Sequence, residues 1–186
     1  MLKYKACFIG HRRIEVTNDL KKKFKQIIEN LIINHNVLIF LFGSKSDFNH
    51  ICHSIVTELR EKYPKIKRIG YSCKSETFIL ENERLKWQKI FSNVQNNEIN
   101  ILAVDEELEH KTKYVSGKAS YIERNKAMID DSDWCIFYYD DNYLPESRRY
   151  SKRSNYYYQP NSGTRLAYLY AKQKKKQIIN LFNIEN

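Results

Sequence analysis

The chain has 186 residues, 42% of them hydrophobic and 29% charged, with a formal net charge of +10. That length suits one domain with a sizeable core, the hydrophobic content excludes a disordered chain, and no apolar run approaches the roughly 18 residues of a membrane span. The excess of Lys and Arg favours phosphates and polyanions as partners without choosing among them.

The opening MLKYKACFIG has too short an apolar run for a secretory signal, so a cytoplasmic location is expected. Tyr4 to Ile9 reads as a buried strand that stops at Gly10, and His11, Arg12 and Arg13 follow at once. Thr17 or Asn18 offers an N-cap, after which Leu20, Phe24, Ile27, Ile28 and Leu31 share one helix face. Val37 to Phe42, VLIFLF, is an unbroken apolar run ending at Gly43, the pattern of a strand covered on both faces. Phe48, Ile51, Cys52, Ile55, Val56 and Leu59 mark a second helical stripe, closed by Pro64, and Ile66 to Tyr71 reads as a third strand. This alternation predicts a parallel sheet with covering helices.

Residues 74–117 are less patterned: Leu80, Trp87 and Phe91 suit one helix face, and INILAV a short strand. From Lys118 the stretch KASYIERNKAMIDDSD is helical, with Ile122 and Ile129 two turns apart and Asp131 and Asp133 in the turn that follows. WCIFYY, residues 134–139, is another buried strand. A polar, basic and aromatic stretch leads to NSGT, where a helix starts at about Gly163 and runs to Lys176, with Leu166, Ala167, Tyr170 and Ala171 facing inward. QIINLF is the last strand. With no internal repeat and no linker, residues 1–186 read as a single α/β domain, Rossmann-like, its mostly parallel sheet of about five or more strands flanked by helices on both faces.

Cys7, Cys52, Cys73 and Cys135 show no C-x-x-C spacing and each lies in or beside an apolar run, which predicts buried free thiols. His50 and His53 stand at i, i+3 on a helix, but no second ligand pair accompanies them, so neither metal nor cofactor is expected. The G-x-G-x-x-G, G-x-x-x-x-G-K-[ST] and G-x-S-x-G motifs are absent, which argues against a standard dinucleotide dehydrogenase, a P-loop NTPase and an α/β-hydrolase.

In open parallel sheets ligands bind beyond the carboxyl ends of the strands, at a topological switch point. Here the strands end in GHRR, in GSKSD and in a long loop that closes on NSGT at a helix start. Glycine admits a close backbone approach, and free N–H groups at a helix N-terminus favour an anion. Ser162, Gly163 and Thr164 therefore form a candidate anion cradle, with Gly10, His11, Arg12, Gly43, Ser44 and Asp47 on the same edge. Arg124 and Asn125 precede the WCIFYY strand on their helix; Arg124, next to Glu123, equally suits a surface ion pair.

Taken together, CFIGHR, the glycine and aspartate of GSKSD, YIERNKAMIDDSDWCIFYYDD and NSGTRLAYLYAKQKKKQIINL resemble the SLOG superfamily, and within it the small bacterial and phage members of the YpsA-like type. The resemblance covers about 150 residues, with the middle poorly matched. It implies a modified Rossmann-like fold that binds nucleotides or nucleotide-derived ligands. Relatives in that superfamily include the Lonely Guy phosphoribohydrolases, the DNA-processing protein DprA and sensor domains of antiphage defence. Lonely Guy enzymes carry PGGxGTxxE with a catalytic glutamate; the matching stretch here is QPNSGTRLA, which keeps SGT and has Ala167 at the glutamate position.

The primary expectation is thus a binder of a nucleotide-derived small molecule, as sensor or sequestering protein in defence or counter-defence, able to self-associate. Its ligand contacts would be Gly10, His11, Arg12, Gly43, Ser44, Asp47, Arg124, Asn125 and Ser162 to Thr164, with Tyr156 to Tyr158 stacking on a base. An N-glycosidic or phosphoribosyl hydrolase is the alternative, with Glu123 or Asp47 as acid, base or sugar-polarising group. A single-stranded nucleic-acid binder ranks third, its phosphate contacts drawn from Arg148, Arg149, Lys152 and Arg153 between tyrosines.

Overall fold

A computed structural model of the chain describes residues 3–43, 46–73, 78–86, 102–109, 118–143 and 162–184. Its frame is a six-stranded, all-parallel sheet. In chain order the elements are β1 (Tyr4–Gly10), α1 (Asn18–His35), β2 (Val37–Phe42), α2 (Asp47–Lys62), β3 (Lys67–Ser72), β4 (Ile79–Leu80), β5 (Ala103–Val104), β6 (Glu106–Glu109), α3 (Lys118–Asp130), β7 (Trp134–Tyr138), α4 (Gly163–Gln173) and β8 (Gln177–Asn180). A short 3₁₀ turn, Leu181–Ile184, follows β8, and another, Glu81–Glu83, follows β4.

Strand order is β6-β3-β2-β1-β7-β8, with β4 and β5 paired separately. The chain moves outward from β1 through β2 and β3 to β6, then returns to the other side of β1 for β7 and β8. The order therefore reverses between β1 and β7, and a crevice is expected at their carboxyl ends.

Strand alternation divides the interior into two cores. Ala6 and Phe8 of β1, Phe40 and Phe42 of β2, and Ile136 and Tyr138 of β7 pack with the apolar faces of α1 and α2. Cys7, Ile9, Leu41, Ile69, Tyr71, Cys135, Phe137 and Tyr139 face the other way and pack with Met128 and Ile129 of α3 and Ala167 and Ala171 of α4. Phe8 lies between the rings of Phe40 and Phe42, at 5.8 and 5.1 Å. Each such fully buried side chain contributes roughly 1.5–3 kcal/mol of transfer free energy. All four cysteines are buried thiols, none of them in a disulfide.

The caps explain where helices begin. Thr17 Oγ1 accepts the Leu20 N–H, Ser46 Oγ that of Asn49, and Ser162 Oγ that of Arg165. Leu80, expected on a helix, belongs instead to β4, where it pairs with Val104, while Trp87 and Phe91 lie outside the described residues. Of INILAV, Ala103 and Val104 form β5. The strand that pattern reading passed over is β6: EELE has no apolar alternation, because it is an edge strand whose Glu106 pairs with Lys67.

An unexpected polar anchor joins β4, β5 and the first 3₁₀ turn to the sheet. Arg68 on β3 is 1% exposed. It donates to Thr57 at 2.9 Å, Glu81 at 2.9 Å and Asp105 at 3.2 Å, and Arg60 pairs with Asp105 at 2.8 Å. Burial alone would raise the pKa of Glu81 and Asp105; the hydrogen bonds and charge of Arg68 outweigh it and hold both carboxyls below their ordinary range. Among the described residues no helix is long and apolar enough to cross a membrane.

Candidate functional site at the carboxyl edge

The carboxyl ends of β1 and β7 meet where Gly10 lies opposite Tyr138, and the His11 N–H continues the ladder to the Tyr138 carbonyl at 3.3 Å. Gly10 points toward α2. A Cβ there would lie 2.5 Å from Cγ and 2.7 Å from Cβ of Phe48, so the residue is glycine because a phenyl ring occupies the space of a side chain. The first turn of α2 is tied to the same loop: Asp47 N–H donates to the Arg12 carbonyl at 2.9 Å, and Asp47 Oδ2 accepts from Ile14 N–H at 3.4 Å. Arg12, Arg13 and Asp47 are themselves exposed.

His11, one residue on, turns to the α3–α4 face and is only 2% exposed. Its ring stacks on Tyr143 at 3.8 Å and 13°, and Nε2 accepts the Asp140 N–H at 3.0 Å. Burial pushes its pKa down to about 4, against the opposing pull of Asp140. The imidazole is therefore neutral at pH 7 and offers hydrogen bonds, not charge.

The next strand end carries the cation. Gly43 follows β2, whose Leu41 pairs with Cys7 of β1, so it stands at the same carboxyl edge as the end of β1. Gly43 is buried, and a Cβ on it would lie 2.6 Å from Met128 Sδ and 2.9 Å from both Cδ and Nε of Arg124. Arg124 thus lies across the end of β2, 2% exposed, its Nε and Nη2 donating to Asn125 Oδ1 at 3.3 and 3.1 Å. At that burial it is not a surface residue. The inward stripe of α3 is Ser120, Arg124 and Met128, spaced by four, and its polar members hid it from apolar periodicity.

The N-terminus of α4 approaches from β7. Ser162 Oγ and its carbonyl take the N–H groups of Arg165 and Leu166, leaving Gly163 and Thr164 as first-turn donors. Thr164 is buried, while a Cβ on Gly163 would meet nothing within 4 Å among the described residues. Tyr139 joins this end to His11: its ring is 6.0 Å from the imidazole and 4.7 Å from Tyr168. Its backbone is clamped by Asn180, whose Oδ1 accepts the Tyr139 N–H at 3.0 Å and whose Nδ2 donates to the Tyr139 carbonyl at 2.8 Å. Burial first, then its hydrogen bond to Asp141, pushes the Tyr139 phenol up to about 12. Arg165 reaches Asp141 at 3.6 Å.

The fold therefore gathers His11, Gly43, Arg124, Asn125, Ser162, Gly163 and Thr164 on the α3–α4 side of the carboxyl edge. Gly10, Arg12 and Asp47 belong to the α2 side. Glu123 is half-buried and stands about 100° round the helix from Arg124, on the side opposite Asn125. Ser44, Tyr156 to Tyr158 and the basic residues Arg148, Arg149, Lys152 and Arg153 lie outside the described residues. Tyr139, Tyr143, Asn180 and Met128 escaped sequence reading; only the position of the tyrosines just after a strand end could have pointed to them. His53, half of the His50–His53 pair, approaches the Ala103 carbonyl through Nε2 at 2.6 Å and is tied to β5.

No protein-family model matches the chain. The uncharacterized SPbeta prophage-derived protein YoqJ of Bacillus subtilis (strain 168) is 30% identical over 130 residues, covering 65% of this chain and 72% of YoqJ. By that identity and coverage, the chain belongs to the family of this prophage protein, with a Rossmann-like parallel α/β fold.

Proposed function

We propose that the protein binds a nucleotide-derived, phosphate-bearing small molecule at the carboxyl edge of its sheet, as a sensor or sequestering protein. The observation that carries this reading is the buried Arg124 lying across Gly43 at the end of β2, with His11 and the first turn of α4 on the same face. A buried guanidinium and the N-terminal amides of a helix both favour negative charge, and the switch point between β1 and β7 is where such sheets take ligands. The net charge of +10 draws anions toward it. The resemblance to the SLOG superfamily and the kinship with a prophage protein agree with a small-molecule role in phage–host conflict.

Binding is favoured over cleavage by Ala167. The position where Lonely Guy enzymes hold their glutamate is here 3% exposed and packed in the core with Ile129 and Phe137, with no carboxylate to act as acid or base. Differential scanning fluorimetry with ADP-ribose, cyclic ADP-ribose isomers and nucleoside monophosphates tests the reading. A dose-dependent rise in Tm with at least one of them is expected, and no rise with any in a well-folded sample refutes it.

A further inference from the structure

We propose that the Nδ1–H of His11 is a ligand-contacting hydrogen-bond donor, offered by a neutral imidazole to an anionic oxygen of the bound molecule; this rests on the anion-binding reading above. Nε2 accepts the Asp140 N–H at 3.0 Å, which requires its lone pair and so places the ring proton on Nδ1. Nδ1 is buried and has no hydrogen-bond partner among the described residues, although buried donors are nearly always satisfied. The ring cannot turn to find one, because it is stacked flat on Tyr143 and bonded to the 139–140 backbone.

His11 stands beside Tyr139, whose ring packs against Tyr168 of α4, so it belongs to the side of the edge that also carries Arg124 and the first turn of α4, where an anion's remaining lone pairs would need partners. The titratable groups against it are Asp140, Tyr139 and Tyr143, all after β7, and Asp140 is the charged one that acts on the ring; Asp141, paired with Arg165 of α4, accepts from the Tyr139 hydroxyl further out. Burial keeps the ring neutral well below pH 7, so its contribution is a directed hydrogen bond and not a charge. His11 thus has separate work for its nitrogens: Nε2 fixes the loop after β7, and Nδ1–H meets the ligand.

The two roles separate by substitution. In His11→Gln the side-chain oxygen can still accept the Asp140 N–H from near the Nε2 position, but the Nδ1 donor is gone; in His11→Asn an amide N–H stands near Nδ1, and the Asp140 contact is lost. Calorimetric titration with ADP-ribose, whose pyrophosphate stays ionised throughout, is expected to give an affinity for wild type that is flat from about pH 5 to 8. His11→Gln should lose about tenfold or more with little change in Tm, and His11→Asn should stay within about threefold of wild type at a lower Tm. Wild-type binding that weakens as pH rises through about 6.5, or a His11→Gln variant that binds as wild type does, overturns the assignment alone. Absence of wild-type binding to ADP-ribose, cyclic ADP-ribose and nucleoside monophosphates overturns it together with the anion-binding reading. Imidazole ¹⁵N spectra of the ligand-free protein give an independent check: a proton on Nδ1 at pH 7 supports the assignment, and one on Nε2 overturns it.

Discussion

Gly43→Ala is the substitution that most cleanly couples packing to the site. The added Cβ would lie 2.6 Å from Met128 Sδ and 2.9 Å from Arg124 Cδ and Nε. Ordinary contacts lie at about 3.5–4.0 Å, so the sulfur must retreat by about 1 Å and the guanidinium by about 0.6 Å or more. Met128 is adaptable but fully buried, and Arg124 is 2% exposed, so neither moves without disturbing the α3–sheet packing. Overpacking of this kind costs about 1–3 kcal/mol. For a chain of this size each kcal/mol lowers Tm by about 2–4 °C, so a fall of about 2–12 °C is expected. Displacing one charge-assisted contact should also weaken binding of a phosphate-bearing ligand by about tenfold or more. Thermal unfolding and calorimetry on the same preparation measure both. Unchanged Tm together with unchanged affinity would refute the placement of Arg124 over Gly43 and its part in the site.

Gly10→Ala should destabilise by about 1–3 kcal/mol in urea unfolding, because the Phe48 ring that a methyl would strike is wedged against Phe8, Phe24 and Tyr138. Arg68→Met removes the cation that holds Glu81 and Asp105 and should cost about 3–5 kcal/mol at pH 7. Both carboxyls have folded-state pKa values below their unfolded ones, so their stabilisation is present above the ordinary carboxylate range and lost as pH falls through the folded values. The gap in urea midpoint between wild type and Arg68→Met should therefore narrow below about pH 4, and a gap independent of pH would contradict the network. Ser162→Ala deletes the cap of α4 and should lower stability by about 1 kcal/mol, seen as a Tm about 2–4 °C lower.

The central layout was legible because its signals are local. VLIFLF and WCIFYY are covered on both faces and so read as unbroken apolar runs, and Leu20, Phe24, Ile28 and Leu31 repeat at helical spacing. What escaped depends on tertiary context. Glu106–Glu109 is strand only because β3 offers it an edge, and Leu80 pairs with Val104 across a gap in sequence that no local pattern spans. Arg68 in IKRIGY looks like the polar face of a half-exposed strand, yet its partners come from α2, from the turn after β4 and from the residue between β5 and β6. At the site, the glycines at strand ends were visible, but their reasons were not. Gly10 accommodates Phe48 and Gly43 accommodates Arg124, both brought in from helices. The setting of His11 was hidden for the same reason, since burial beneath Tyr143 and the Asp140 N–H cannot be inferred from GHRR.

Native mass spectrometry of the purified protein and of its Arg124→Gln variant tests the central claim most directly. The account predicts that the wild type carries, or takes up from a mixture of ADP-ribose, its cyclic isomers and nucleoside monophosphates, one phosphate-bearing nucleotide that the variant does not retain. A wild-type protein that stays bare in that mixture, or a variant that retains the same molecule equally well, would contradict it.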